Sequence, residues 1–103
     1  MITYGKQSIN QDDIDAVSEV LNSDFLTQGP KVKEFEHNLA EYIDVKYVKA
    51  VSNGTAALYL ALKAIGIKEG DDVLTAPNSF IATASAIFLS GANPIFCDVG
   101  DDF

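Results

Sequence analysis

The residues best suited to chemistry are Ser52, Asn53, Gly54 and Thr55. They stand between an apolar run, Val48 to Val51, and the helical pattern Ala56-Ala57-Leu58-Tyr59-Leu60-Ala61-Leu62. A strand that opens directly into a helix leaves the first backbone N–H groups of that helix without internal partners. The helix dipole adds partial positive charge at the same point. Gly54 permits close approach of the backbone, and Ser52 and Thr55 add hydroxyl donors. The pattern suits a bound anion, most naturally a phosphate. The same residues also satisfy an ordinary helix N-cap. The anion reading requires amides that are not taken by their own side chains and that face open space. The two commonest phosphate loops are absent, since neither Gly-Lys-Ser/Thr nor Gly-x-Gly-x-x-Gly occurs at the needed place.

Two further constellations accompany this turn. Pro77-Asn-Ser-Phe-Ile-Ala-Thr83 follows the next apolar strand pattern. Phe80 there could lie flat on a ring-shaped cofactor, or could close the core as aromatic residues often do. Asp24-Phe-Leu-Thr-Gln-Gly-Pro30 reads as a turn between helices, with an apolar start that suits a loop packed on something. His37 stands among Glu34, Glu36 and Glu41 and reads as part of a solvated face. Asp71-Asp72 and Asp101-Asp102 read as solvated turns. The lone Cys97 lies in an apolar run and is expected to be a small buried residue. One Cys and one His exclude an internal disulfide and any zinc spacing, so no metal site is expected.

The elements that must position these residues can be read from periodicity. The arm from Ile2 to Ile9 is expected to be extended. Asn10 reads as a helix cap with Asp12 and Asp13 in the first turn, and Ile14, Val17 and Leu21 share one face. That helix ends at Asn22-Ser-Asp24, and Gly29-Pro30 closes the following loop. Val32, Phe35, Leu39, Tyr42 and Ile43 mark a second helix. The remaining pattern predicts a strand over Tyr47 to Val51, a helix over Thr55 to Ile65 and a strand over Val73 to Ala76. A helix over Phe80 to Ser90 and a strand over Pro94 to Val99 complete it. Strands separated by helical crossovers imply parallel βαβ units, with right-handed crossovers. The fold class is therefore α/β: two N-terminal helices, then β-α-β-α-β with parallel strands in a three-layer arrangement. The organisation is an N-terminal arm with helices over 1–46 and the start of a larger α/β domain over 47–103.

Composition narrows the partners. The 103 residues include seven lysines, no arginine and fifteen Asp or Glu, for a net charge of −8. Nucleic-acid binding rests on phosphate neutralisation by cations, so nucleic acid is excluded as a partner, and anionic membrane surfaces with it. A phosphorylated ligand remains compatible, provided that its donors are aimed locally. The start of the chain lacks the apolar core of a signal peptide, and the apolar stretch Ile81 to Leu89 is too short to span a bilayer. A cytoplasmic protein is expected. In doubly wound sheets, ligands sit at the carboxyl ends of strands, where several loops contribute. Only three such loops occur here, so the chain is expected to be the front portion of a larger enzyme.

The constellations, in this order, resemble the DegT/DnrJ/EryC1/StrS aminotransferases, sugar aminotransferases of the fold type I pyridoxal 5'-phosphate (PLP) class. The segments that carry the resemblance are Phe25-Leu-Thr-Gln-Gly-Pro-Lys-Val-Lys-Glu-Phe-Glu36, Val51-Ser-Asn-Gly-Thr-Ala-Ala-Leu58, Thr75-Ala-Pro-Asn-Ser-Phe-Ile-Ala-Thr-Ala84 and Gly91-Ala-Asn-Pro-Ile-Phe-Cys-Asp98. It covers essentially the whole chain and roughly the first quarter of a family member. Tyr4-Gly-Lys-Gln-Ser-Ile-Asn-Gln-Asp-Asp13 and Leu26-Thr-Gln-Gly29 look most like the pseudaminic acid branch. That branch passes an amino group from glutamate, through PLP, to C4 of a UDP-linked 4-keto sugar, and its product feeds flagellin or pilin glycosylation.

The resemblance implies roles residue by residue. Gly54 and Thr55, with Asn53 nearby, would hold the PLP phosphate, and Phe80 would stack on the pyridine ring. Tyr4, Gly54 and the segment Asp24, Phe25, Leu26 and Thr27 would line the sugar-nucleotide site, at a homodimer interface in the full-length enzyme. The Schiff-base lysine and the carboxylate on the pyridine nitrogen lie beyond residue 103 in the family. None of Lys6, Lys31, Lys33, Lys46, Lys49, Lys63 and Lys68 fits the lysine role, so the chain alone is expected to be inactive. The resemblance also implies that strand 47–51 lies apart from the other two, leaving unpaired edges. A sugar dehydratase of the same fold has a His in place of that lysine, and since that position is absent here the chain does not separate the two. A stand-alone phosphate-binding module and a non-catalytic interaction domain are the other readings. The module predicts a self-sufficient sheet of adjacent strands, and the interaction domain predicts that the motifs serve only as caps and core.

Overall fold

The computed structural model describes residues 5–100. The chain divides into two compact units, Met1–Ala50 and Val51–Phe103.

The first unit holds two helices. α1 spans Gln11–Leu21 and begins as its sequence dictates. The Asn10 side chain accepts the Asp13 N–H at 3.1 Å, and the Asp13 carboxylate accepts the Asn10 N–H at 2.9 Å. This reciprocal box satisfies two donors that the helix cannot satisfy itself. α2 spans Pro30–Tyr42. Pro30 is the first residue of this helix rather than the end of the loop, because a helix start needs no N–H there and the proline ring presets the backbone angle. α2 ends with Asp44 in the left-handed region at φ 53°. The Val45 N–H then reaches the Ala40 carbonyl at 2.9 Å, so the last turn is closed by the chain that leaves it.

No strand forms over 47–51. A strand exists through its partners' N–H and C=O groups, and among the described residues no strand pairs with this segment. The Ala50 N–H donates instead to the Glu36 carboxylate at 2.9 Å, and Lys49 Nζ donates to the other Glu36 oxygen at 2.9 Å.

The second unit contains α3 (Gly54–Ala64), β1 (Asp72–Thr75), α4 (Ile81–Leu89) and β2 (Asn93–Phe96). β1 and β2 are parallel, in the register Asp72↔Asn93 to Thr75↔Phe96. The pairing continues past each end, with Asn93 N–H donating to Asp71 O at 2.8 Å and Cys97 N–H to Thr75 O at 2.9 Å. The expected parallel β-α-β crossover is therefore present, with two strands in the sheet rather than three. α4 packs on both strands and on α3. Both helices stop at a glycine with positive φ, Gly66 at 88° and Gly91 at 86°. There the next two N–H groups fold back to the last-turn carbonyls.

The buried apolar residues among those described are Ala86, Ile87 and Ala92. Leu74, Phe88 and Phe96 are exposed, as is Cys97. Cys97 thus departs from its expected burial: it sits just past the end of β2, a strand paired only with β1 among the described residues. The sheet holds two strands among the described residues, and Leu74 and Phe96 on it are exposed. Among the described residues no helix is long and apolar enough to cross a membrane, and no group of three or more His, Cys, Asp or Glu is arranged to hold a metal.

Candidate functional site

Asn53 is the N-cap of α3, and its side-chain oxygen accepts the Ala56 N–H at 2.9 Å. One of the amides counted on for an anion is therefore used internally. The amides of Gly54 and Thr55 carry no hydrogen bond among the described residues. A Cβ placed on Gly54 would meet nothing within 4 Å, so the space beside its Cα is open. Ser52 is turned to its neighbour, with Oγ accepting from Asn53 Nδ2 at 3.3 Å.

Gly54 and Thr55 line a hollow of about 480 Å³ together with Ala57, Leu58, Phe80, Ala82 and Thr83. Gly54 and Thr55 come from the first turn of α3, and Ala82 and Thr83 from the first turn of α4. Two helix N-termini therefore face one space, and both bring partial positive charge to it. Neither first turn contains an acidic residue. In α1, by contrast, Asp12 and Asp13 occupy the first turn and offset its dipole. No side-chain charge in the first turn of α3 or α4 therefore offsets its dipole.

Phe80 sits at the rim with 77% of its surface exposed, and it is the N-cap of α4 with no side-chain cap bond. A large apolar ring held in the open at a helix end presents a flat face to whatever enters. Gly54, Thr55 and Phe80 line this one hollow, and Asn53 is the N-cap next to Gly54 in sequence. Thr83, Leu58 and Ala82 also line the hollow. Thr83 could have been found from its spacing, three residues after Phe80 and four after Ser79.

The loop residues belong to the first unit. Phe25 and Leu26 line a separate hollow of about 160 Å³, together with Glu19, Val20, Ser23, Gln28, Gly29, Pro30, Lys31 and Val32. Asp24 and Thr27 lie on the same loop outside that lining, and Tyr4 lies outside the described residues. The loop is tightly built. Gln28 has φ 52°, and a Cβ on Gly29 would fall 2.8 Å from Phe25 Cβ. Lys31 bridges Glu19 of α1 at 3.5 Å and Glu34 of α2 at 3.2 Å. The Glu34 hydrogen bond, then the Glu19 charge, raise its pKa above the usual lysine value. His37 lies on an exposed face beside Glu41 at 3.4 Å. No lysine lines the hollow at Gly54.

Comparison with known proteins places this geometry in a family. Residues 7–103 match the DegT/DnrJ/EryC1/StrS aminotransferase family model. The chain is 49% identical over 102 residues to a UDP-4-amino-4,6-dideoxy-N-acetyl-beta-L-altrosamine transaminase of Campylobacter jejuni, covering 99% of this chain and 27% of that protein. The aminotransferase from Psychrobacter cryohalolentis superposes with a TM-score of 0.84 at 43% identity, over 90% of this chain and 24% of that one. The structure of ntda from Bacillus subtilis with bound cofactor PMP superposes with a TM-score of 0.82 at 38% identity, over 89% of this chain and 22% of that one. The chain spans about a quarter of the length of the curated relatives it matches. Its α/β architecture is that of the corresponding part of these aminotransferases, and the chain belongs to the DegT/DnrJ/EryC1/StrS aminotransferase family.

Proposed function

We propose that this chain supplies the phosphate grip and the ring-stacking face of a PLP-dependent aminotransferase acting on a UDP-linked 4-keto-6-deoxy amino sugar. The observation that carries the reading is the hollow shared by the free amides of Gly54 and Thr55 and the exposed ring of Phe80. The phosphate of the cofactor needs donors with no internal partner, and these two amides and the Thr55 hydroxyl provide them. Phe80 offers an apolar face against which a planar pyridine can lie. When bound, the cofactor supplies the electron sink for amino-group transfer.

Gly54 and Thr55 bind and orient the phosphate end. Phe80 fixes the plane of the ring and excludes water from one face. Asn53 stiffens the turn by closing the Ala56 amide, so that the two free amides stay aimed. Tyr4 and the segment Asp24, Phe25, Leu26 and Thr27 line the sugar-nucleotide part of the site. The 49% identity to a UDP-amino-sugar transaminase supports the choice of substrate class. Glutamate as amino donor, a homodimeric enzyme, a role in pseudaminic acid biosynthesis and a cytoplasmic location complete the proposal. The lysine that anchors PLP, and the carboxylate that holds its ring nitrogen, are assigned to sequence beyond residue 103. The chain by itself is proposed to be inactive.

The test uses the full-length protein that carries this chain. Incubation with PLP followed by desalting should leave a bound-cofactor absorbance band near the visible edge. With glutamate and a UDP-linked 4-keto sugar, 2-oxoglutarate should form. A full-length protein that retains no PLP would overturn the proposal. Retention without amino transfer, but with loss of water from the sugar, would assign it to the dehydratase reading.

A further inference from the structure

We propose that Thr83 is a positioning residue, which acts with Ser79 to hold the Phe80 ring at the mouth of the Gly54 hollow. The inference rests on the reading of that hollow as the cofactor site.

A phenyl group is a poor N-cap, because it has no acceptor for the first helical N–H groups. α1 and α3 both begin with an Asn whose side chain accepts such an N–H, whereas α4 begins with Phe80 and has no cap bond. Local rules are broken in this way where a residue is needed for something other than stability. The first turn of α4 must then be held by other means. Ser79 Oγ and Thr83 Oγ1 are hydrogen-bonded at 2.8 Å, and the Thr83 N–H donates to the Phe80 carbonyl at 3.0 Å. The Ser79 N–H donates to the Pro77 carbonyl at 2.9 Å. Thr83 therefore grips the residue before the ring through its side chain, and the ring residue itself through its backbone. Thr is also stiff about its first side-chain bond, so the grip has one direction.

The ring has somewhere else to go. A second hollow of about 250 Å³ is also lined by Phe80 and Thr83, with Ala76, Pro77, Ile81 and Phe96. Phe80 and Thr83 are the two residues common to both hollows. An exposed ring between two apolar spaces would divide its time between them if its backbone were loose. The Ser79–Thr83 pair removes that freedom and keeps the ring available to the Gly54 side.

The test compares wild type, Thr83→Val, Thr83→Ser and Phe80→Ala in the full-length protein. Thr83→Val keeps the shape and removes the hydroxyl. It should weaken PLP retention by about three- to tenfold, the scale of one neutral hydrogen bond, and should change the circular dichroism of the bound-cofactor band. Thr83→Ser should restore both. In a Phe80→Ala background Thr83→Val should add nothing, because its effect passes through the ring. Amide exchange over 78–83 in the cofactor-free protein should quicken in Thr83→Val. The inference is overturned if Thr83→Val matches wild type in retention and dichroism while Phe80→Ala loosens PLP. It is equally overturned if the two substitutions add independently. Failure of wild type to hold PLP would instead remove the underlying reading of the hollow.

Discussion

The carboxylate of Glu36 holds the backbone of Ala50: the Ala50 N–H donates to one oxygen at 2.9 Å while Lys49 Nζ donates to the other at 2.9 Å. A side chain on α2 thus does for residues 49–50 what a neighbouring strand would do in a larger sheet. The Ala50 hydrogen bond, then the Lys49 hydrogen bond, hold the Glu36 pKa below the usual carboxylate value, and burial opposes them. A carboxyl whose folded pKa is depressed contributes stability that is complete above its unfolded pKa and is lost as pH falls through the folded value. In the full-length protein Glu36→Gln should lower Tm at neutral pH, and the gap to wild type should close as the solution is acidified below the ordinary carboxylate range. Parallel pH-dependent melts check this; a gap that is constant with pH would show that the charge contributes nothing.

The capping role of Asn53 predicts a stability effect. Asn53→Ala leaves the Ala56 amide without its partner and should destabilise the full-length protein by about 0.5–2 kcal/mol. Asn53→Gly should cost only a few tenths of a kcal/mol. Denaturant melts of the three proteins read the difference. Equal values for Ala and wild type would show that the cap carries no stability.

For the proposed phosphate grip, Thr55→Val is the sharp substitution. It removes the hydroxyl and leaves the helix and the amide in place. Loss of one charge-assisted hydrogen bond should cost about 1.5–3 kcal/mol, read as PLP bound roughly ten- to hundredfold more weakly in equilibrium dialysis of the full-length protein. Unchanged binding would take the Thr55 hydroxyl out of the grip.

Gly29 predicts a packing effect in the first unit. A Cβ there would stand 2.8 Å from Phe25 Cβ and 3.2 Å from Phe25 O. Both atoms are close to the backbone, so the loop itself must move. Gly29→Ala should destabilise by about 1–3 kcal/mol and, on the proposed assignment of Phe25 and Leu26 to the sugar-nucleotide site, should raise KM for the sugar nucleotide more than it lowers kcat. Urea melts and steady-state kinetics on the full-length protein check the two parts.

The isolated chain should be poorly cooperative. Its buried apolar residues among those described are Ala86, Ile87 and Ala92, while Phe35, Leu74, Phe80, Phe88 and Phe96 are more than half exposed. Such a core is small for the entropy that folding must offset. Heating the purified 103-residue chain should give a broad transition or self-association, and a sharp, reversible melt of a monomer would contradict this.

Much of the fold was legible because its signals are local. Asn10 and Asn53 cap the helices that follow them, Gly66 and Gly91 close α3 and α4 with positive φ, and the alternation after residue 70 yields the parallel pair. The misreadings share one cause. A strand over 47–51 and a buried Cys97 both depend on neighbours distant in sequence, and no local pattern reports whether those neighbours are there. At the candidate site, Gly54, Thr55 and Phe80 were legible as motif residues. That Asn53 takes the third amide, and that Thr83 is bonded to Ser79, became visible with hydrogen-bond geometry, although the spacing of Thr83 to Phe80 and Ser79 already pointed to it.

The parallel pairing of β1 and β2 has a consequence for synthesis. Partner residues such as Asp72 and Asn93 are 21 positions apart, with α4 alone in between. Closing so short a loop costs little entropy, and local contacts form fast. As the chain leaves the ribosome, N-terminal parts first, this crossover can form as soon as residue 96 emerges, before any later strand arrives to pair with its edges. The nascent chain would then carry a template awaiting its neighbours, and the moment of its emergence is the interval at which a chaperone has most to protect.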